Sequence, residues 1–253
     1  MRGVFLHQQL EFRLEVANED LRQGDHVHGT FSVKNHGSAH SIPSAVCVCL
    51  CSGDAKKIKA KAEDAFTRIV SAEIEHAFEL PPHATHTQSW SIQLDKNCPI
   101  TDRDRSPYLL YGDSSFDSSL ALGQLLLSVS PHPHIKAVID TMESVFNCTN
   151  RGLTSRDGCV VAKLRTPDSR RLSLVEELNL SFTFHEHTLN VGYQFKVKRF
   201  DTTTPTGVDI KKGKVIISQS WQASDYLFGD DFIHQEFVER SIGEALEAVS
   251  TGF

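Results

Sequence analysis

Apolar and polar side chains alternate with a period of two near the start of the chain: Leu10, Phe12, Leu14 and Val16 interleave with Glu11, Arg13 and Glu15. Successive side chains of an extended strand point to opposite faces, so this spacing puts all four apolar groups on one face and predicts a half-buried β-strand. The turn-forming Arg22-Gln23-Gly24-Asp25 comes next. Val27, Gly29, Phe31 and Val33 then alternate with His26, His28, Thr30 and Ser32 until Asn35-His36-Gly37-Ser38 breaks the run. Ala45 to Cys51 is short and apolar on both faces, as suits a strand buried between two layers. Ile74, His76, Phe78 and Leu80 make a further alternating set, stopped by Pro81-Pro82, and Trp90, Ile92 and Leu94 make another. These are the spacings of a β-sandwich.

Residues 55–70 fit two periods. Ile58, Ala62, Phe66 and Ile69 have helical spacing, yet Ile58, Ala60 and Ala62 also alternate, so helix and strand both stay open there. Pro131-His132-Pro133-His134 stiffens the chain, and Ile135, Val138, Ile139 and Met142 follow with the spacing of a short amphipathic helix. This marks a junction between domains at 1–130 and 131–253. Beyond it Leu178, Leu180, Phe182 and Phe184 run up to a tip at His185-Glu186-His187-Thr188. Leu189, Val191, Tyr193, Phe195 and Val197 return, predicting a long hairpin. One face of that hairpin is apolar and needs cover, which a second sheet would supply. Thr202 to Gly207 reads as a loop and Val215, Ile217 and Trp221 as a strand. Ile233, Phe237, Val238, Ile242, Leu246 and Val249 suggest a C-terminal helix. No internal repeat of 20 to 50 residues is evident.

Composition narrows the function classes. The 253 residues include 26 Lys and Arg against 32 Asp and Glu, a net charge of −6, with 40% hydrophobic and 23% charged residues. That is ordinary globular composition, and the length allows one large or two medium domains. An acidic balance gives no electrostatic footprint for nucleic acid. The longest nearly apolar runs, Ala45 to Cys51 and Leu120 to Leu127, fall short of the roughly 18 residues that a membrane-spanning helix needs. Val4, Phe5 and Leu6 are too few for a secretory signal of about 7 to 15 apolar residues, so a cytoplasmic location is expected. Lys56, Lys57, Lys59 and Lys61 are followed at once by Glu63 and Asp64 and read as a solvated face.

Cys47, Cys49 and Cys51 alternate along one strand, which points their sulfurs to the same face and away from distant bridging partners. Without any Cys-x-x-Cys pair they read as buried small hydrophobes, not as a zinc or thioredoxin site. Three His-x-His pairs, His26/His28, His132/His134 and His185/His187, could each share a metal ion on a strand, but none has an evident third ligand. His26 and His28 should face solvent, His185 and His187 lie at the hairpin tip, and His132 and His134 belong to junction packing. His76 reads as a core imidazole. Full protonation of the thirteen histidines would carry the net charge from −6 to +7, so partner binding should vary with pH between about 5 and 7.

The one enzyme hypothesis starts from Tyr111-Gly112-Asp113-Ser114-Ser115, which contains the Gly-Asp-Ser of GDSL-type esterases, and Asp231-Phe232-Ile233-His234, which has their Asp-x-x-His spacing. Ser114 would be the nucleophile, His234 its base and Asp231 the orienting carboxylate. Those enzymes place the Ser soon after the first strand of a parallel sheet, whereas Ser114 lies deep in a β-rich chain. Nucleotide-binding, zinc-protease, EF-hand and Gly-x-Ser-x-Gly motifs are absent. The sequons Asn147-Cys148-Thr149 and Asn179-Leu180-Ser181 carry no weight without a secretory signal.

Three segments, taken in order, resemble the sporulation-control protein family of bacteria. Gln23-Gly24-Asp25-His26-Val27-His28-Gly29-Thr30-Phe31 is similar to its Pro-Gly-x-x-Val-x-Gly-x-Val signature, with Gln23 in place of the Pro. Ile92-Gln93-Leu94-Asp95 through Cys98-Pro99-Ile100-Thr101 to Ser106-Pro107-Tyr108-Leu109 resembles its strand, Pro-Ile-Thr turn and following strand. Pro131-His132-Pro133-His134-Ile135-Lys136-Ala137-Val138-Ile139-Asp140 resembles its Pro-x-Pro-Leu-x-x-Ala-Val-Leu-Asp junction. The resemblance covers roughly residues 10 to 200. It implies two tandem arrestin-like, immunoglobulin-like β-sandwiches and no catalytic residues; with the junction and C-terminal helices read above, an all-β chain with no cofactor and no metal is expected. It also implies a regulatory or scaffolding role through protein partners. A homodimer is among the assemblies open to such a chain, and sandwich edges offer unpaired backbone groups to an extended peptide.

Overall fold

The computed structural model describes residues 1–43, 45–76, 78–115, 121–167, 175–201, 209–229 and 232–251. They divide into two compact units, 1–130 and 131–253. Unit 1 contains β1 (Arg2–His7), β2 (Leu10–Val16), β3 (Leu21–Arg22), β4 (His26–Asn35) and β5 (Ala45–Asp54). The helix α1 (Ala55–Lys59) follows, then β6 (Phe66–His76), β7 (Thr85–Gln93), β8 (Arg105–Asp113), β9 (Gly123–Leu126) and β10 (Val129–Ser130). Unit 2 contains α2 (Pro133–Ser144), β11 (Thr149–Arg156), β12 (Cys159–Arg165), β13 (Val175–His185), β14 (Thr188–Asp201) and β15 (Asp209–Gln222). It ends with α3 (Ala223–Tyr226), the short pair β16 (Leu227–Phe228) and β17 (Phe232–Ile233), and α4 (Gln235–Thr251).

In unit 1 two four-stranded sheets, ordered β1-β2-β4-β7 and β6-β5-β8-β9, are antiparallel throughout. The alternating apolar set of the first sheet, Phe12, Leu14, Val27, Phe31 and Val33, packs into one core with Val46, Val48, Leu50, Leu109 and Tyr111 of the second. Phe31 and Tyr111 meet edge to face at 6.3 Å. Burying a side chain of this size contributes about 1.5–3 kcal/mol. Gly29 interrupts the apolar alternation because it lies across from Val16, where a Cβ would collide with the Glu15 carbonyl. The turn after β4 is organised by buried Asn35. Its Nδ2 donates to the Ala39 and Leu80 carbonyls at 2.8 and 3.1 Å, and its Oδ1 accepts from the Gly37 N–H at 2.8 Å.

The open segment 55–70 holds both elements. Asp54 Oδ1 accepts from the N–H groups of Lys56 and Lys57 at 2.9 and 3.1 Å, capping α1, and β6 begins at Phe66. The expected strand at 74–80 therefore starts earlier and stops at His76, while Leu80 forms an isolated bridge to Ser41. Its alternation was blurred because β6 slips register against β5 twice, once between Val46 and Cys47 and again between Leu50 and Cys51. Each slip inserts a residue and shifts the period of two.

Unit 2 is built on one antiparallel sheet ordered β11-β12-β13-β14-β15. The predicted hairpin is its centre: Leu178, Leu180, Phe182 and Phe184 lie across from Phe195, Tyr193, Val191 and Leu189. For the apolar face a covering sheet is expected, but the described residues bring helices to it. Trp221 of β15 meets Phe237 of α4 edge to face at 5.7 Å, and Gln219 Nε2 donates to the Ser241 carbonyl at 2.9 Å. At the start of α2, the His132 ring packs against Phe184 at a tilt of 58°, with centroids 4.7 Å apart. Ile135, Val138, Ile139 and Met142 of α2 and Val238, Ile242, Ala245 and Val249 of α4 are buried, the one-sided stripes that a period of 3.6 produces. The stretch predicted as a loop at 202–207 lies outside the described residues. No helix among the described residues is long and apolar enough to cross a membrane.

Candidate functional site

Ser114 follows β8, an antiparallel strand, and its N–H donates to the Ala45 carbonyl at 2.7 Å. The Asp113 carboxylate accepts from the N–H and the hydroxyl of Ser115 at 2.9 and 2.7 Å, so Asp113-Ser114-Ser115 is a side-chain-stabilised turn. Both strands paired to β8, β5 and β9, run antiparallel to it, unlike the parallel strands that an esterase nucleophile follows. His234 precedes α4 in the other unit, with Nδ1 3.2 Å from the Asp225 carbonyl oxygen and its ring against Phe228 at 4.2 Å. Asp231 lies outside the described residues.

His26 and His28 are exposed on the outer face of β4, and His185 and His187 are exposed at the hairpin tip. His132 and His134 are buried at the N-terminus of α2, their rings 4.4 Å apart. His132 Nδ1 accepts from the His134 N–H at 3.2 Å as the helix cap, ahead of Pro133 in the first turn, and His134 Nδ1 lies 3.3 Å from the Tyr226 hydroxyl. The side chain of His76 lies outside the described residues. Among the described residues no group of three or more His, Cys, Asp or Glu is placed to hold a metal ion.

Cys47, Cys49 and Cys51 are buried on the outer face of β5, packed with Leu110, Leu122, Phe66 and Tyr108. Cys49 Sγ lies 3.1 Å from the Ser71 hydroxyl. A hydrogen bond between the Cys47 and Cys49 thiols pulls the Cys49 thiol below its ordinary range and lifts that of Cys47, while burial pushes Cys51 up to about 12.

The exposed large hydrophobics have a pattern that alternation alone does not reveal. On the three main sheets the described residues show them only on edge strands: Val4 and Leu6 on β1, Ile69 and Val70 on β6, Leu126 on β9 and Ile216 on β15. Leu6 and Ile216 are each 65% exposed. Edge strands also present unpaired backbone N–H and C=O groups. Exposed apolar side chains and sheet edges thus coincide along the same strands.

No family model and no curated protein matches the chain. Among solved structures, Spo0M, the sporulation control protein from Bacillus subtilis, is similar over 95% of this chain and 98% of its own, at 15% identity and a TM-score of 0.68. The chain shares the fold of Spo0M. It is mostly β, with antiparallel sheets in two halves and few helices, one of them C-terminal. An alkylpurine DNA glycosylase, AlkC from Pseudomonas fluorescens, matches at 12% identity over 48% of this chain and 30% of its own, with a TM-score of 0.29. A mutant β-glucosidase from Listeria innocua matches at 12% identity over 49% of this chain and 16% of its own, with a TM-score of 0.30. Scores that low carry no argument about fold or function.

Proposed function

We propose that the chain is a non-enzymatic regulatory or adaptor protein of the sporulation-control type, acting in the cytoplasm by binding partner proteins through its sheet edges. The observation that carries this reading is the confinement of exposed large hydrophobics on the main sheets to edge strands, among the described residues. An extended partner segment can add to such an edge by backbone hydrogen bonds, while alternate side chains contact Val4 and Leu6 or Ile216. The fold likeness to Spo0M along nearly the whole of both chains supports the regulatory part of the reading. The hydrolase alternative would need Ser114, whose neighbours form a turn after an antiparallel strand.

The test is affinity capture from the native cytoplasm with the wild-type chain, V4K/L6K and I216K. These substitutions put charge on exposed positions and leave the cores alone. A specific protein held by the wild type and lost from an edge variant is expected; capture unaffected by every edge variant contradicts the proposal. Stoichiometric fluorophosphonate labelling at Ser114 would favour the hydrolase.

A further inference from the structure

On the solvent face of the unit 2 sheet, β14 and β15 set lysine directly across from lysine twice: Lys196 faces Lys214, and Lys198 faces Lys212. Like charges in such cross-strand pairs repel unless counter-charges lie beside them. Lys163 of β12 reaches the same corner, where its Nζ lies 3.2 Å from Glu177 Oε2. The only described carboxylates ion-paired to these lysines, those of Glu176 and Glu177, come from a β-bulge. The register of β13 against β14 shifts between Val175 and Glu177, so two consecutive side chains reach lysines on one face where alternation would separate them.

Glu177 Oε1 holds Lys196 Nζ at 2.7 Å, and Glu176 lies between Lys198 and Lys212 at 3.2 and 3.6 Å. The bonds to Lys198 and Lys196 hold the two carboxyls below their usual range. The glutamates are 30% and 21% exposed and the four lysines paired to them 41% to 78%, so the carboxylates form a floor and the ammonium groups a rim. Between them lies a cleft of about 570 Å³ lined by Glu176, Glu177, Lys196, Lys212, Gly213 and Lys214. Five ammonium groups against two carboxylates leave this corner positive in a chain of net charge −6.

We propose that this corner binds a compact ligand carrying clustered phosphate groups, whose oxygens bridge Lys196, Lys212 and Lys214 across the rim. Compact ammonium charges on flexible stems suit phosphate oxygens approaching from several directions. A monoanion gains too little to draw the lysines from the two carboxylates, whereas adjacent phosphates engage several at once. This site goes beyond the adaptor reading and does not rest on it. Its phosphates could be free or carried by lipid headgroups.

The test is calorimetric titration of sodium tripolyphosphate into the full chain at low ionic strength. Saturable one-to-one binding is expected, weakened roughly tenfold or more in K196Q/K214Q, retained in K196R/K214R, and unchanged in K57Q/K59Q, which removes the same charge from α1. No saturable binding, or equal weakening in both glutamine variants, overturns the proposal. Sedimentation with phosphatidylcholine vesicles, with and without a phosphatidylinositol bisphosphate, identifies the source. Lysine-dependent binding to the anionic vesicles assigns the phosphates to lipid headgroups, and tripolyphosphate binding alone assigns them to a free ligand.

Discussion

Unit 1 closes its core sheet against sheet, with Phe12 and Phe31 of one layer meeting Val48 and Tyr111 of the other, whereas unit 2 brings α2 and α4 to a single five-stranded sheet. The sheet β1-β2-β4-β7 of unit 1 and the five-stranded sheet of unit 2 both contain strands written in the same period of two. The difference teaches that alternation specifies a face to be covered without specifying the cover. What distinguishes the units is the remaining sequence. Unit 1 has a strand apolar on both faces, β5, whose outer cysteines are covered by Leu110, Leu122, Phe66 and Tyr108 instead of by a further layer, while unit 2 is bracketed by two stripes of period 3.6.

Each unit contains one of the two tryptophans, Trp90 or Trp221, so single-tryptophan variants can follow the cores separately. The largest effects should come from emptying them: Phe31→Ala in unit 1 and Phe182→Ala in unit 2 should each cost about 3–5 kcal/mol. Thermal fluorescence should show the first lowering the Trp90 transition in W221F and the second lowering the Trp221 transition in W90F. Equal shifts of both transitions by either change would break the comparison between two cores.

Removing part of the helical cover comes next. Ile242→Ala in α4 should cost about 2–5 kcal/mol and loosen the Trp221 environment, read by near-ultraviolet circular dichroism. A Trp221 signal and midpoint left as in the wild type would show that α4 is dispensable to the core of unit 2. Two glycines then sharpen the contrast. Gly29→Ala forces a Cβ against a backbone carbonyl and should cost about 1–3 kcal/mol, whereas Gly192→Ala meets only the Ser181 hydroxyl, which can rotate, and should cost less than about 1 kcal/mol. Urea midpoints of the two variants check the order.

The smallest effect is acid sensitivity. Glu11, Glu176 and Glu177 have carboxyls held low, the first by His36 and the others by lysines. A depressed folded-state pKa gives stability that is present above the unfolded value and lost as pH falls through the folded one. These groups are solvated, so E176Q/E177Q should flatten the acid limb of the stability curve of unit 2 only slightly.

Much of this fold was legible residue by residue. The strands at Leu10–Val16 and Ala45–Cys51, the hairpin about Glu186-His187, and the helices after Pro133 and near Phe237 follow from period, proline and turn chemistry. Less legible was β6, because its two register slips break the alternation by which a strand is recognised. The lysine corner escaped for a related reason. Lys196 and Lys198 look like ordinary solvent-facing residues until the β15 register sets Lys214 and Lys212 across from them and a bulge aims Glu176 and Glu177 the same way. The spacing of two lysine pairs on adjoining strands was the signal that could have exposed it. For the edges, it is the pairing order that shows Leu6 and Ile216 to lie on rims.

Hydrogen–deuterium exchange of the full chain, with and without a protein captured from its native cytoplasm, tests the edge-binding account most directly. New protection should appear on backbone amides of β1, β6, β9 or β15, where added strand pairing occupies free N–H groups. Protection confined to helix surfaces or to the Ser114 turn, with every edge strand exchanging as before, would contradict it.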